Sequence, residues 1–439
     1  MALASPGTGD VTAWKIWAYH AARGRVGSMY GVGGSPPERR LLHFAGADAP
    51  VDYPPIALYE LGAAGRAFRS WNHGSFPNDD ALTVFVKLPS LACDIGLALL
   101  IFFAVRARAG LAIARSSFAA YWLNPAVLID GAVLGYLDPQ FVLPIVGAIV
   151  AAASASPALA GGLLAIALLT KAQTLFVAPA VALALWTNSR RRAVSFGIAG
   201  SAALVVAAVA IAPVVAAGGW PNMVQALSRL AHHDMLSAYA ANLWWLVGYI
   251  VRARASMHDL GVWDAFTRPT QILGIPRLME LGYPNPRAVG VALTSTAWAW
   301  ALWNARRARD LWLVAGVGAF LLHAYATLSA QVHENHAFAV VPLLILAAAG
   351  RPAYRPIAIA MTAIVALNLN LFYGFGNGVG FAIPRSVTIV DASVVLAVTN
   401  CAALLWHARI LRRECSTAAA CPQSPAPAFH RAPADRIRS

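Results

Sequence analysis

Apolar runs of bilayer length, broken by short polar turns, fill most of this chain, yet none long enough to cross a membrane occurs before about residue 83. Counting about 20 apolar residues as one crossing, and fewer where neighbouring segments cover the backbone, gives a layout of spans. They fall near 83–105, 116–134, 141–156, 158–170, 172–187, 194–217, 288–305, 310–329, 336–350, 356–374 and 390–408. The expected fold is an all-α polytopic bundle of about 11 spanning helices. The expected division is a first loop with interfacial helices (1–82), transmembrane helices (83–217), a long loop (218–287), further transmembrane helices (288–411) and a disordered cytoplasmic tail (412–439).

Arginine placement orients the layout. Arg106/Arg108/Arg115, Arg190/Arg191/Arg192, Arg306/Arg307/Arg309, Arg351/Arg355 and Arg409/Arg412/Arg413 fall in alternate loops, which the positive-inside rule makes cytoplasmic. The opposite face then receives residues 1–82, the turn near 135–140, the loop 218–287, the turn near 330–336 and the loop 375–389. The first loop must be exported although no signal peptide or spanning helix precedes it here, so an upstream in-frame helix is expected in the gene.

Composition agrees with the pattern. Of 439 residues 59% are hydrophobic and only 12% charged, with a mean hydropathy of +0.60, far from soluble domains, where about a quarter of residues are charged. The net charge of +14 resides in the loop arginines, so nucleic acid is not an expected partner. Cys93, Cys401, Cys415 and Cys421 have no paired metal-ligand spacing and outline no disulfide framework.

Polar side chains stand out against this background. Asp10 precedes Trp14, Trp17, Met29 and Tyr30, a spacing that fits a helix along the membrane interface with aromatic anchors. A carboxylate so placed is either a solvated surface charge or a general base toward a sugar hydroxyl. In Asp52-Tyr53-Pro54-Pro55 the two prolines stiffen the backbone, either as a rigid entry into an interfacial helix over 56–71 or to aim Asp52 and Tyr53 at a ligand. Asp130 and Asp138 lie at a predicted bilayer edge, where chance ionisable groups are disfavoured, although Asp138 could simply cap the helix opening at Pro139. Lys171 breaks two short apolar segments and either snorkels to the headgroups or neutralises a buried phosphate. His333 and Glu334 sit in Gln331-Val332-His333-Glu334-Asn335-His336; the HxxH spacing hints at metal, but the HExxH zinc signature is not met, and a His and a Glu beside a phosphate or sugar is the better reading.

The set Gly9-Asp10, Asp52-Tyr53-Pro54-Pro55, Asn124-Pro125 with Ile129-Asp130, Lys171-Ala172-Gln173, Ala241-Asn242-Leu243-Trp244 and Gln331-Val332-His333-Glu334 resembles, in order, the GT-C glycosyltransferases. The likeness is to the enzymes that use dolichyl-phosphate-glucose in asparagine-linked glycosylation, and to bacterial relatives that use polyprenyl-phosphate sugars. It covers about residues 9–345 and lacks the family's first spanning helix, and the turn Gly135-Tyr136-Leu137-Asp138 differs from the His-containing eukaryotic version. The resemblance implies a many-helix bundle with Asp10 as catalytic residue, and with Asp52, Tyr53, Asp130, Asp138, Lys171, Asn242, His333 and Glu334 lining the substrate site. Expected partners are a polyprenyl-phosphate-linked sugar donor, a lipid-linked or glycan acceptor and membrane lipids. No cofactor is called for, a divalent cation being the one addition the chemistry admits. A bacterial plasma membrane with an extracytoplasmic active site is the expected location. The rival reading is a lipid or sugar transporter or flippase, against which no inverted repeat is visible.

Overall fold

In the computed structural model, residues 2–24, 26–31, 41–230, 233–376 and 382–420 are described, and they are helical almost throughout. Helices α1 (Gly9–Arg23) and α2 (Pro55–Trp71) precede α3 (Asp80–Ala109) and α4 (Leu111–Trp122). A π-helical turn, Leu128–Leu134, leads to α5 (Asp138–Ala153), α6 (Pro157–Thr170), α7 (Ala178–Asn188), α8 (Arg192–Ala216), α9 (Trp220–Leu230) and α10 (Leu243–Leu260). The chain ends in α11 (Pro286–Ala305), α12 (Leu311–Leu328), α13 (Val340–Gly350), α14 (Arg355–Tyr373) and α15 (Ala392–Ala420). Two small strand pairs complete it: β1 (Leu42–Phe44) runs antiparallel to β2 (Ala47–Ala49), and β3 (Ser237–Ala238) lies parallel to β4 (Val332–His333).

Among the described residues six helical stretches are long and apolar enough to cross a membrane: α3, α4 with its continuation to Leu134, α8, α12, residues 352–373 and α15. The expected crossings at α5, α6 and α13 are shorter apolar helices. Fourteen residues in α6 rise about 21 Å, less than the roughly 30 Å hydrocarbon core, so helices of this length need neighbours to shield their ends. Residues 412–420, expected in a disordered tail, continue α15 as helix; residues 421–439 lie outside the described set.

Helix α12 is the axis of the bundle. It is buried on every side from Leu313 to Thr327, and α5, α7, α11, α13 and α15 pack around it. A helix apolar all round is a core helix. Helices α6 and α8 approach so closely that a Cβ at Gly161 would overlap the Ala199 carbonyl. At one end of the bundle Arg351 donates to Asp310 at 2.9 Å and to Glu414 at 2.7 Å, tying the start of α12, the end of α13 and the far part of α15 together.

The opening segment folds back onto the other end around a second core. Trp14 and Trp17, expected as lipid-facing anchors, are 2% and 1% exposed and pack against Tyr53 at ring distances of 5.2 and 5.5 Å. Burial obliges each indole N–H to find an acceptor. Trp14 Nε1 donates to the Gly135 carbonyl at 2.9 Å and Trp17 Nε1 to that of Pro50 at 3.0 Å. Gly135 ends the π-turn at φ 78°, where a side chain would be strained and would collide with Val11 and Lys87.

Lys87 holds this junction together. Its ammonium, buried inside α3, donates to the carbonyls of Ser5 at 2.8 Å, Ala132 at 3.2 Å and Val133 at 2.8 Å. Lys87→Met keeps the stem but strands three carbonyls, each costing about 1–3 kcal/mol if left unpaired in the interior. A markedly lower melting midpoint is expected, with faster amide exchange over residues 2–8. Unchanged exchange there would show that the apolar contacts suffice.

Candidate functional site

Five segments distant in sequence meet at the end of the bundle opposite Arg351. They are the start of α1, the turn before α2, the π-turn with the start of α5, the break after α6, and the loop between α12 and α13. At their centre Lys171 Nζ donates to Asp138 Oδ1 at 2.6 Å, with both side chains nearly or fully buried. The other carboxylate oxygen, Asp138 Oδ2, accepts from Asn335 Nδ2 at 2.7 Å. Both oxygens of Asp138 are thus engaged away from the backbone, so it is no helix cap. Lys171 points inward over the Phe141 ring, which sets aside the snorkelling alternative.

Glu334 lies beside this pair. Its Oε1 accepts from the Tyr136 hydroxyl at 2.5 Å and the Tyr373 hydroxyl at 3.2 Å, and Asn368 donates to its main-chain carbonyl at 3.4 Å. Burial pushes its carboxyl up to about 7, against the phenol hydrogen bonds, which favour the ionised form. Beneath it a cavity of about 20 Å³, lined by His333, Asn368 and Asn400 among others, has room for one water.

Asp10 is exposed on the first turn of α1, yet protein crowds its carboxyl closely enough that desolvation raises its pKa, with Lys171 opposing and Asp138 reinforcing the shift. Asp52 is half-buried and pushed up to about 6, by desolvation first and the charge of Asp10 second, with Arg229 of α9 opposing. The Tyr53 hydroxyl is raised by burial and by the charges of Asp10, Asp138, Asp52 and Glu334. His333 is lowered to about 4 by burial, by His233 and by Lys171. Asp10, Asp52, Tyr53, Asp138, Lys171, His333 and Glu334 therefore share one electrostatic neighbourhood.

Of the residues expected in the substrate site, Asn242 stands apart from this cluster, whereas Asp130 lies within electrostatic reach of Asp138, Lys171 and Glu334. Asn242 is fully buried as the N-cap of α10, where Oδ1 accepts from the Trp245 amide at 2.9 Å and Nδ2 donates to the Ala326 carbonyl at 3.3 Å. It is occupied structurally and reaches none of the charged groups. Asp130 is 0% exposed on the π-turn, behind Asp138, and neither of its oxygens has a hydrogen-bond partner among the described residues. Four participants escaped the sequence reading as individuals: Tyr136, Asn335, Tyr373 and His233. Tyr136 and Asn335 stood inside recognised motifs. His233 was signalled only by a doubled histidine before Asp234 in the long loop.

Among the described residues no group of three or more His, Cys, Asp or Glu side chains is arranged to hold a metal ion. Compared with known proteins, the chain matches no family model, and no curated protein matches it.

Two measurements probe the Glu334 cluster. The folded chain binds the Glu334 proton more tightly than an unfolded chain, where the ordinary value is 4.5. Its contribution to stability is therefore full below about pH 4.5 and lost as pH rises to about 7. Melting midpoints taken from pH 4.5 to 7.5 are expected to fall more steeply for the wild type than for Glu334→Gln; parallel curves would refute the assignment. Tyr136→Phe removes a bond to the ionised form and is expected to move the Glu334 carboxyl stretch titration, followed by infrared difference spectra, to higher pH.

Proposed function

We propose that this chain is an integral-membrane glycosyltransferase of GT-C type, transferring a hexose from a polyprenyl-phosphate donor to a glycolipid or glycan acceptor at the extracytoplasmic face. The observation that carries the reading is the meeting of Asp10, from the first helix, with Lys171, His333 and Glu334, from segments far along the chain, at one end of an apolar bundle. In this reading the shorter helices α5, α6, α7 and α13 and the 20-residue α11 cross together with the six long stretches, giving the eleven crossings that the arginine loops require. The arginine-bearing end faces the cytoplasm, and the site faces outward across a bacterial plasma membrane.

The chemistry follows from the groups available. Asp10, accessible and with a raised pKa, is a better base than a free aspartate. It takes the proton of an acceptor hydroxyl as that oxygen attacks the anomeric carbon. The bond from that carbon to the phosphate oxygen breaks on the opposite face, its electron pair leaves with the lipid phosphate, and configuration inverts. Asp52 and Tyr53 orient the sugar. Lys171 and His333 meet the charge that develops on the phosphate, Lys171 sharing its ammonium with Asp138. Fixed dipoles and charges in a partly dry groove supply most of the rate gain.

Purified chain in nanodiscs, supplied with a labelled polyprenyl-phosphate hexose and a panel of acceptors, is expected to transfer label. Asp10→Asn is expected to bind donor normally and to lose transfer by about a hundredfold or more, the scale of a missing general base. Near-normal turnover would remove Asp10 from the mechanism. Movement of the lipid across the bilayer without transfer would favour a transporter.

A further inference from the structure

Resting on the glycosyl-transfer reading for the identity of the ligand, the charges of the site pose a problem for a phosphate. Lys171 is committed to Asp138, and the other groups of the site are carboxyls: Asp10 and Asp52, which are open to solvent at least in part, and Glu334, which is buried. A lipid phosphate entering this neighbourhood meets more negative charge than positive. The groups there that can gain a positive charge are imidazoles.

Three of them stand together. His233 enters from the loop ahead of β3, and its Nδ1 lies 3.3 Å from His333 Nε2, the rings 5.4 Å apart and inclined at 68°. At that separation one ring donates N–H and the other accepts, which fixes complementary tautomers. The ring of His336 is 5.3 Å from that of His333, and its Nδ1 is bonded to the Tyr325 hydroxyl at 2.8 Å. The backbone of His233 is itself held in place: its carbonyl accepts from Arg287 at 3.1 Å and from Gln331 Nε2, while Arg287 also donates to Asp234 at 2.7 Å. All three histidines are only partly covered, so a ligand can reach them.

We infer that His233 and His333 form the phosphate-holding end of the donor site, and that the pair takes up one proton when a lipid phosphate binds. In the resting chain burial keeps both rings neutral, assisted at His333 by Lys171 and by the neighbouring ring. The groups around the pair are His336 and Glu334 on the loop that carries His333, Tyr325 on α12, Lys171 after α6, and Asp234 and Arg287 beside His233. A bound phosphate adds negative charge on the open side and reverses the balance. Two rings sharing N–H···N then hold the extra proton as a unit, so the uptake belongs to the pair and to neither ring alone. Reciprocity follows: if phosphate raises proton affinity, protons raise phosphate affinity by the same factor.

The test uses the full chain in nanodiscs and a polyprenyl phosphate without sugar. Calorimetry in two buffers of different ionisation heat counts protons taken up, and Kd is measured from pH 6 to 8. The lipid phosphate's own titration is common to all variants and cancels when they are compared. The wild type is expected to take up more protons than His233→Gln or His333→Gln, and its advantage in Kd over either should grow as pH falls, by up to about tenfold per unit. Melting curves verify folding, and His233→Asn serves if His233→Gln does not fold. Equal uptake and pH-independent Kd ratios would overturn the inference and leave the glycosyl-transfer reading standing. Failure of the wild type to bind lipid phosphate at any pH would sink both. Binding that requires added Zn²⁺ and vanishes with chelator would overturn the inference in favour of a metal held by the same rings.

Discussion

The Lys171–Asp138 ion pair is the constraint around which the rest of the site is arranged. Removing two charges from water costs several kcal/mol each, and the attraction between them offsets that only when the remaining lone pairs and protons are satisfied. Asn335 takes the second oxygen of Asp138, so satisfying the pair also fixes the loop between α12 and α13. That loop carries His333, Glu334 and His336. The break after α6 and the start of α5 are therefore locked to a segment far along the chain by three polar groups, within a bundle otherwise held by apolar packing.

From this joint the two ends of the bundle divide their chemistry. One end gathers arginine and is clamped by Arg351 between Asp310 and Glu414. The other gathers carboxyls, phenols and imidazoles, several with their ordinary proton affinities displaced by burial and by one another. Clusters of displaced titratable groups are a common mark of functional sites. The apolar axis α12 separates the two.

The apolar helices were legible in the sequence because runs of apolar residues are a one-dimensional signal, and most of their edges moved by only a few residues, except for α15, which runs on through Arg412 and Glu414; α9 and α10, by contrast, occupy the stretch read as a long loop. Individual polar residues stood out only where the surroundings were apolar enough to make a lone charge conspicuous, as at Asp138 and Lys171. The aromatic residues of the opening segment were read as lipid anchors since pattern cannot distinguish an indole facing lipid from one facing a second protein core; the acceptors at Gly135 and Pro50 decide it. Asn242 shows the same limit, because an asparagine before a helix is a cap or a ligand according to where its amide points. His233, Tyr373 and Lys87 act through partners far away in sequence, which spacing cannot reveal.

The grip of Lys87 on the opening segment has an evolutionary corollary. Its contacts at 132 and 133 are to main-chain oxygens, so the side chains there play no part in that attachment. Drift at those two positions leaves the latch intact, whereas loss of the ammonium at 87 removes three of its hydrogen bonds at once. Among descendants of this sequence, this part of the tether that carries Asp10 to its place would survive changes at 132 and 133 while constraining position 87, a residue that lies outside the site.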